Sequence, residues 1–170
     1  MKFSFYNSTI IILVCVLTVL IFFSCVNKAS ENITYYESGV IKELIIVNQN
    51  GGKIQYLFYE NGETKSINRF NKKGLYEGEQ LWFYPSGILD RKILFADNKM
   101  KGNAYYFYNE TGALKNFRYF RNGKEVLYGV DFWNDSIGLM KASLHFNDSG
   151  QIFYKKNFDK NGNFLSEEGK

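Results

Sequence analysis

Gly78-Glu79-Gln80-Leu81-Trp82-Phe83-Tyr84-Pro85-Ser86-Gly87 is followed one period later by Gly102-Asn103-Ala104-Tyr105-Tyr106-Phe107-Tyr108-Asn109-Glu110-Thr111-Gly112. Both runs carry a glycine, a short spacer, adjacent aromatic residues and a polar turn closed by a second glycine. Upstream, Tyr36-Glu37-Ser38-Gly39 and Tyr59-Glu60-Asn61-Gly62 repeat the same turn. Working outward, turn glycines stand at Gly39, Gly62, Gly87, Gly112, Gly138, Gly150 and Gly162. Asn50-Gly51-Gly52, Lys72-Lys73-Gly74, Asp97-Asn98-Lys99 and Asn122-Gly123 fall between the earlier ones. These signals punctuate the chain about every 12 residues, so one up-and-down hairpin takes about 24.

The segments between turns read as strands. The second position after each turn glycine holds Ile41, Thr64, Leu89, Leu114, Met140, Ile152 and Phe164. The eighth holds Val47, Phe70, Phe95, Phe120, Phe146 and Phe158. Both offsets are even, which predicts that the two columns share one face. Phe70, Phe95 and Phe120 are expected to be buried, stacked from one hairpin to the next. Tyr59, Tyr84 and Tyr108 alternate with the column Phe58, Phe83 and Phe107. With Trp82 they are expected to line an accessible binding face. The fold class is all-β: an extended antiparallel sheet of stacked hairpins with about 11 strands, running ~50 Å at the usual strand spacing.

Composition agrees. Of 170 residues, 45% are hydrophobic and 18% aromatic, with 13 Tyr, 16 Phe and a single Pro, which excludes a disordered polar chain and a Pro-rich linker. The net charge is +4 and no basic run exceeds two residues, so no nucleic-acid partner is expected.

The N-terminus reads as a targeting segment. Lys2 precedes an apolar run from Ile10 to Phe23, which ends at Ser24-Cys25. That run is short for a membrane span, which needs about 20 residues; an uncleaved anchor and plain secretion are the alternatives to a lipoprotein signal. Phe22-Phe23-Ser24-Cys25 resembles the end of a bacterial lipoprotein signal, and the resemblance implies that Cys25 is lipidated and becomes the first mature residue. Phe22 and Phe23 depart from that pattern. The expected organisation is a signal peptide over 1–24, a lipidated Cys25 and tether over 25–34, the repeat domain over 35–165 and a polar tail over 166–170. The other cysteine, Cys15, would leave with the signal, so the folded part would hold no disulfide. The expected location is the bacterial cell envelope, with a membrane contact through the lipid.

The two runs quoted at the outset resemble the MORN-repeat variant, as found in bacterial antitoxin-like proteins of the YwqK type. The likeness covers about residues 35–129 well and 130–165 loosely. It implies stacked hairpins in an extended antiparallel sheet and no catalytic residues.

Little in the sequence points to chemistry. His145 is the one histidine, and without a cysteine in the mature domain no Cys–His nucleophile or zinc cluster can be built. Asn157, Asp159, Asn161, Gly162 and Glu168 match the spacing of a calcium loop, but the chain ends two residues later and no exiting helix can form. That spacing is expected to be a coincidence of the repeat. Neither metal, cofactor nor enzymatic activity is expected. The expected function is a membrane-anchored interaction scaffold with a protein partner. A glycan or cell-wall binding module and an envelope-side antitoxin or immunity protein are the alternatives.

Overall fold

The structure, a computed structural model, describes residues 30–135 and 137–169. Met1–Ser24, Cys25 and the start of the tether lie outside them. The described chain forms twelve strands: β1 (Ser30–Tyr35), β2 (Ile41–Val47), β3 (Lys53–Phe58), β4 (Thr64–Phe70), β5 (Gly78–Phe83), β6 (Leu89–Ala96), β7 (Lys99–Phe107), β8 (Leu114–Arg121), β9 (Lys124–Phe132), β10 (Met140–Phe146), β11 (Ile152–Phe158) and β12 (Phe164–Gly169). They lie in sequence order in one antiparallel sheet. Strand contacts of any extent join sequence neighbours only, so the sheet is a single layer. This is the repeat architecture expected from the turn spacing, with each hairpin supported by the hairpins beside it.

The repeat reaches further at both ends than the sequence suggested. β1 begins at Ser30, inside the expected tether, and β12 runs to Gly169, through the expected tail. Both are exposed along their whole length, so polar composition does not exclude them from the ladder.

Two turn types join the strands, and the first, seen at Tyr59, recurs at the opposite end of the sheet at Asn48, Asn71 and Asn147. At one end, the Tyr59 N–H donates to Glu63 O at 2.8 Å and the Gly62 N–H donates to Tyr59 O at 2.9 Å. Gly62 closes this three-residue loop at φ 88°, in the left-handed region where a Cβ would be strained. Only Asp97-Asn98 (φ 48° and 64°) and Asn122-Gly123 (φ 53° and 81°), both at that opposite end, make two-residue turns of the primed kind.

One local feature overturns the expected facing of the columns. Leu57 pairs with Ser66 while Phe58 pairs with Thr64, leaving Lys65 as an extra residue. Lys42, Asp90, Lys115 and Lys141 are extra in the same way after their own turns. A one-residue slip reverses the facing of everything beyond it. The second- and eighth-position columns therefore do not share a face.

Burial concentrates on one face, around Ile93 (4% exposed), Phe95 (9%) and Ala104 (0%), with Tyr76, Trp82, Met100, Tyr106 and Phe120 packed against them. Phe95 is buried as expected, whereas Phe70 and Phe120 are only half-buried. The phenylalanines do not stack directly. Tyr76 lies between two of them, its ring centroid 4.9 Å from Phe70 and 5.3 Å from Phe95. Positions one hairpin apart are two strands apart, about 9.6 Å, which is too far for ring contact without an intermediary.

The β4–β5 pairing is the shortest in the sheet, with register only at Ser66–Trp82 and Ile67–Leu81. Gln80, fully buried, replaces the missing ladder bonds. Its Oε1 accepts the Arg69 N–H at 2.7 Å, and its Nε2 donates to Arg69 O at 2.9 Å and to Glu77 O and Gly78 O at 3.2 Å.

Candidate functional site

The tyrosines proposed as a binding strip tie neighbouring hairpins together. Tyr59 Oη donates to Phe83 O at 2.8 Å, Tyr84 Oη to Phe107 O at 3.0 Å and Tyr108 Oη to Phe132 O at 3.0 Å. Tyr36 begins the series by donating to Phe58 O, and Trp133 ends it by donating from Nε1 to Asp159 O. These tyrosines are half-buried, and their hydroxyls are engaged within the fold. After three of the tyrosine turns the extra residue is a lysine that returns over the ring: Lys42 lies 5.7 Å from the Tyr36 centroid, Lys65 5.6 Å from Tyr59 and Lys115 5.6 Å from Tyr108, whereas after the Tyr84 turn it is Asp90. At Tyr36, Tyr59 and Tyr108 the bulge that reverses the columns thus also places a cation over the ladder.

Electrostatics follow from this packing. The Tyr84 phenol is pushed above its ordinary value, first by burial and then by its hydrogen bond with Asp90. Burial and then the charge of Asp131 raise Tyr108 in the same direction. Trp82 packs against the core, with the Arg91 guanidinium 4.7 Å from its ring.

The opposite face carries a surface that the column arithmetic missed. Successive pairings run from Leu44 through Tyr56, Ile67, Leu81, Lys92 and Tyr105 to Phe117. From Phe117 a cluster of rings spreads. Tyr105 lies 6.3 Å from Phe117, Tyr128 lies 5.6 Å from Phe117 edge-on, and Tyr119 stacks on Tyr128 at 6.1 Å. Tyr128 is exposed and the other three are half-exposed. Nearby, exposed His145 lies 5.5 Å from Tyr154 and 6.2 Å from Phe153. The alternation of Tyr105, Phe117 and Tyr119 with core residues is visible in the sequence. Tyr128 is not, because Leu127 beside it takes φ 70° and breaks the alternation of β9.

The calcium-like spacing does not assemble. The Asp159 carboxylate accepts the backbone N–H groups of Asn161 and Asn163 and the Asn163 side-chain amide, all within the turn. Those donors, the Asn163 side chain first, hold it below the ordinary aspartate value of 3.8. Glu168 pairs with Lys155, well up the β11–β12 ladder from the turn. Among the described residues no three His, Cys, Asp or Glu side chains gather as a metal site, and no helix is long and apolar enough to cross a membrane.

No protein-family profile matches the chain, and neither does any curated protein. Among solved structures it is similar to TarM, at 11% identity and a TM-score of 0.39, over 58% of this chain and 19% of that one. It is also similar to a mutant of S. aureus TarM in complex with fondaparinux, alpha-GlcNAc-glycerol and UDP, at 10% identity and a TM-score of 0.38, over 65% of this chain and 23% of that one. The chain thus spans about a fifth of the length of these structures.

Proposed function

We propose that this protein is a non-enzymatic interaction scaffold, held at a bacterial envelope membrane through a lipid on Cys25, that presents one face of its sheet to a protein partner. The observation that carries this reading is the ring cluster of Tyr105, Phe117, Tyr119 and Tyr128 on the uncovered face of a one-layer sheet. Tyrosine and phenylalanine are enriched at the centres of protein interfaces, where they bury large area at low entropic cost. The repeat frames that face with strands paired in sequence order and joined by turns at the two ends of the sheet. The likeness to MORN-variant repeats supports the same use of stacked hairpins as a platform.

A photo-crosslinking residue at Tyr128, compared with one at Lys65, tests the docking face in the native envelope. A discrete adduct at Tyr128 that disappears when Phe117 is changed to Asp supports the reading. Equal labelling at both sites, or none at Tyr128, overturns it. Cys25→Ala tests the anchor separately: release from the membrane fraction or an uncleaved precursor is expected, and unchanged mass and membrane association refute it.

A further inference from the structure

The hairpin end between β9 and β10 departs from the repeat. Phe132 pairs with Met140 across a turn two residues longer than the Tyr59 turn, and Trp133 stands where the four preceding turns at this end carry Tyr. The longer turn is held open by Asp135, whose Oδ1 accepts the N–H groups of Ile137, Gly138 and Leu139 at 3.1, 2.7 and 3.3 Å. Ile137 is left 78% exposed at its tip. In repeat proteins, a unit that breaks the pattern is where a separate site can be added without disturbing the stack.

A hollow of about 460 Å³ opens there, walled by Trp133, Leu139, Tyr108, Lys141 and Lys160. A second hollow of about 250 Å³ shares Tyr108 and Lys141 with it and adds Lys115 and Arg118. Lys141 Nζ lies 4.9 Å and Lys160 Nζ 5.6 Å from the Trp133 ring. The carboxylates facing the hollows are already engaged: Asp131 pairs with Arg118, and Asp135 turns to its own backbone amides. Glu110 reaches Asn134 at the rim. Lys115, Lys141 and Lys160 make no ion pair among the described residues. An ammonium resting on a half-buried ring at the surface is weakly held compared with one bonded to an anion.

We propose that this end of the sheet binds an acidic sugar unit. The apolar face of the sugar ring lies on Trp133, and its carboxylate or phosphate sits between Lys141 and Lys160. The indole supplies the stacking surface and keeps its N–H on Asp159 O, so it is oriented before the ligand arrives. The two lysines swing from the ring to the anion. This site lies at the turn end of the sheet and is independent of the protein-docking face.

The test follows the indole N–H signals of the native chain by NMR, with Trp82→Phe identifying which belongs to Trp133. Glucose 6-phosphate and galacturonate are titrated, with glucose and inorganic phosphate as controls. A saturable shift of the Trp133 signal by one or both acidic sugars is expected, with the controls binding at least about ten-fold more weakly. The exposed double variant Lys141→Gln/Lys160→Gln is expected to lose that preference while melting at the parent temperature. A response to the acidic sugars alone in both parent and double variant would remove the lysines from the site. Glucose binding as tightly as the acidic sugars, phosphate binding as tightly, or no saturable shift would each overturn the proposal.

Discussion

The Tyr84 hydroxyl donates to the carbonyl oxygen of Phe107, 23 residues further along the chain and one hairpin over in space. Tyr36, Tyr59 and Tyr108 make the same bond to the next hairpin, and Trp133 completes the series. In a one-layer array each hairpin has only its two neighbours to stabilise it. The ladder adds a side-chain bond at each of these junctions, at the end of the sheet where turns interrupt strand pairing.

Removing one rung should therefore loosen a junction without emptying the core. Tyr84→Phe keeps the ring but deletes the hydrogen bond. It is expected to lower unfolding stability by about 0.5–1.5 kcal/mol, and Tyr84→Ala by more because the half-buried ring is lost as well. Urea melts of the two variants beside the parent measure this. A Tyr84→Phe midpoint equal to the parent's would make the bond incidental.

The same tyrosines give the fold an alkaline limit. Burial and then Asp90 raise the Tyr84 phenol, and burial and then Asp131 raise Tyr108, above the ordinary value of 10.0. The unfolded chain gives up these protons first, so the contribution to stability is complete below pH ~10 and is lost as pH rises through the folded values. Urea midpoints followed from neutral pH to about pH 11 should fall, and Tyr84→Phe/Tyr108→Phe should flatten the fall. An equally steep fall in the double variant would assign the limit to other groups.

Phe95 and Phe70 occupy the same place in the repeat but differ in burial. Phe95 is 9% exposed within the Ile93–Ala104 cluster, and Phe70 is half-buried against Tyr76. Phe95→Ala is expected to cost about 3–5 kcal/mol, against a typical total stability of about 5–15 kcal/mol, while Phe70→Ala costs distinctly less. Thermal melts of the two single variants decide it. Equal losses would mean that the core extends evenly along the sheet.

The hairpin order was legible because Gly62, Gly87 and Gly112 mark turns that only a left-handed residue closes readily, and their spacing is regular. The facing of side chains was not. Lys65, Asp90 and Lys115 each insert a residue that shifts every later position to the other face, and nothing in their identity announces a bulge. The ladder was hidden for a related reason. The Tyr-to-carbonyl bond spans a whole period, and a hydroxyl's partner across that distance follows from strand register rather than from local pattern. The ring cluster at Tyr128 was lost to the positive φ of Leu127. The turn period carries the architecture, and irregularities of single residues decide which aromatics are buried.

Gln80 and Arg69 give the sharpest test of how the sheet survives such an irregularity. The register of β4 and β5 holds at two pairs, and beyond them the buried Gln80 amide bonds both the N–H and the C=O of Arg69. Gln80→Leu preserves most of the volume but strips the Arg69 N–H of its partner and leaves Arg69 O with the Glu77 N–H alone, at a cost of about 1–3 kcal/mol for the buried N–H. Amide exchange at Arg69 should accelerate more than exchange in β7, because the opening is local. Gln80→Glu separates hydrogen bonding from packing. One carboxylate oxygen can still accept the Arg69 N–H, but the other faces the carbonyls of Arg69, Glu77 and Gly78 that the native amide satisfies. Ionisation there is disfavoured, so the folded-state pKa of the new carboxyl lies above its unfolded value. Its protonated form can donate to one of those carbonyls. Relative to the parent, Gln80→Glu should be strongly destabilised at neutral pH and partly rescued as pH falls toward about 4. A pH-independent deficit would mean that the amide fills space in this gap and does not replace the ladder.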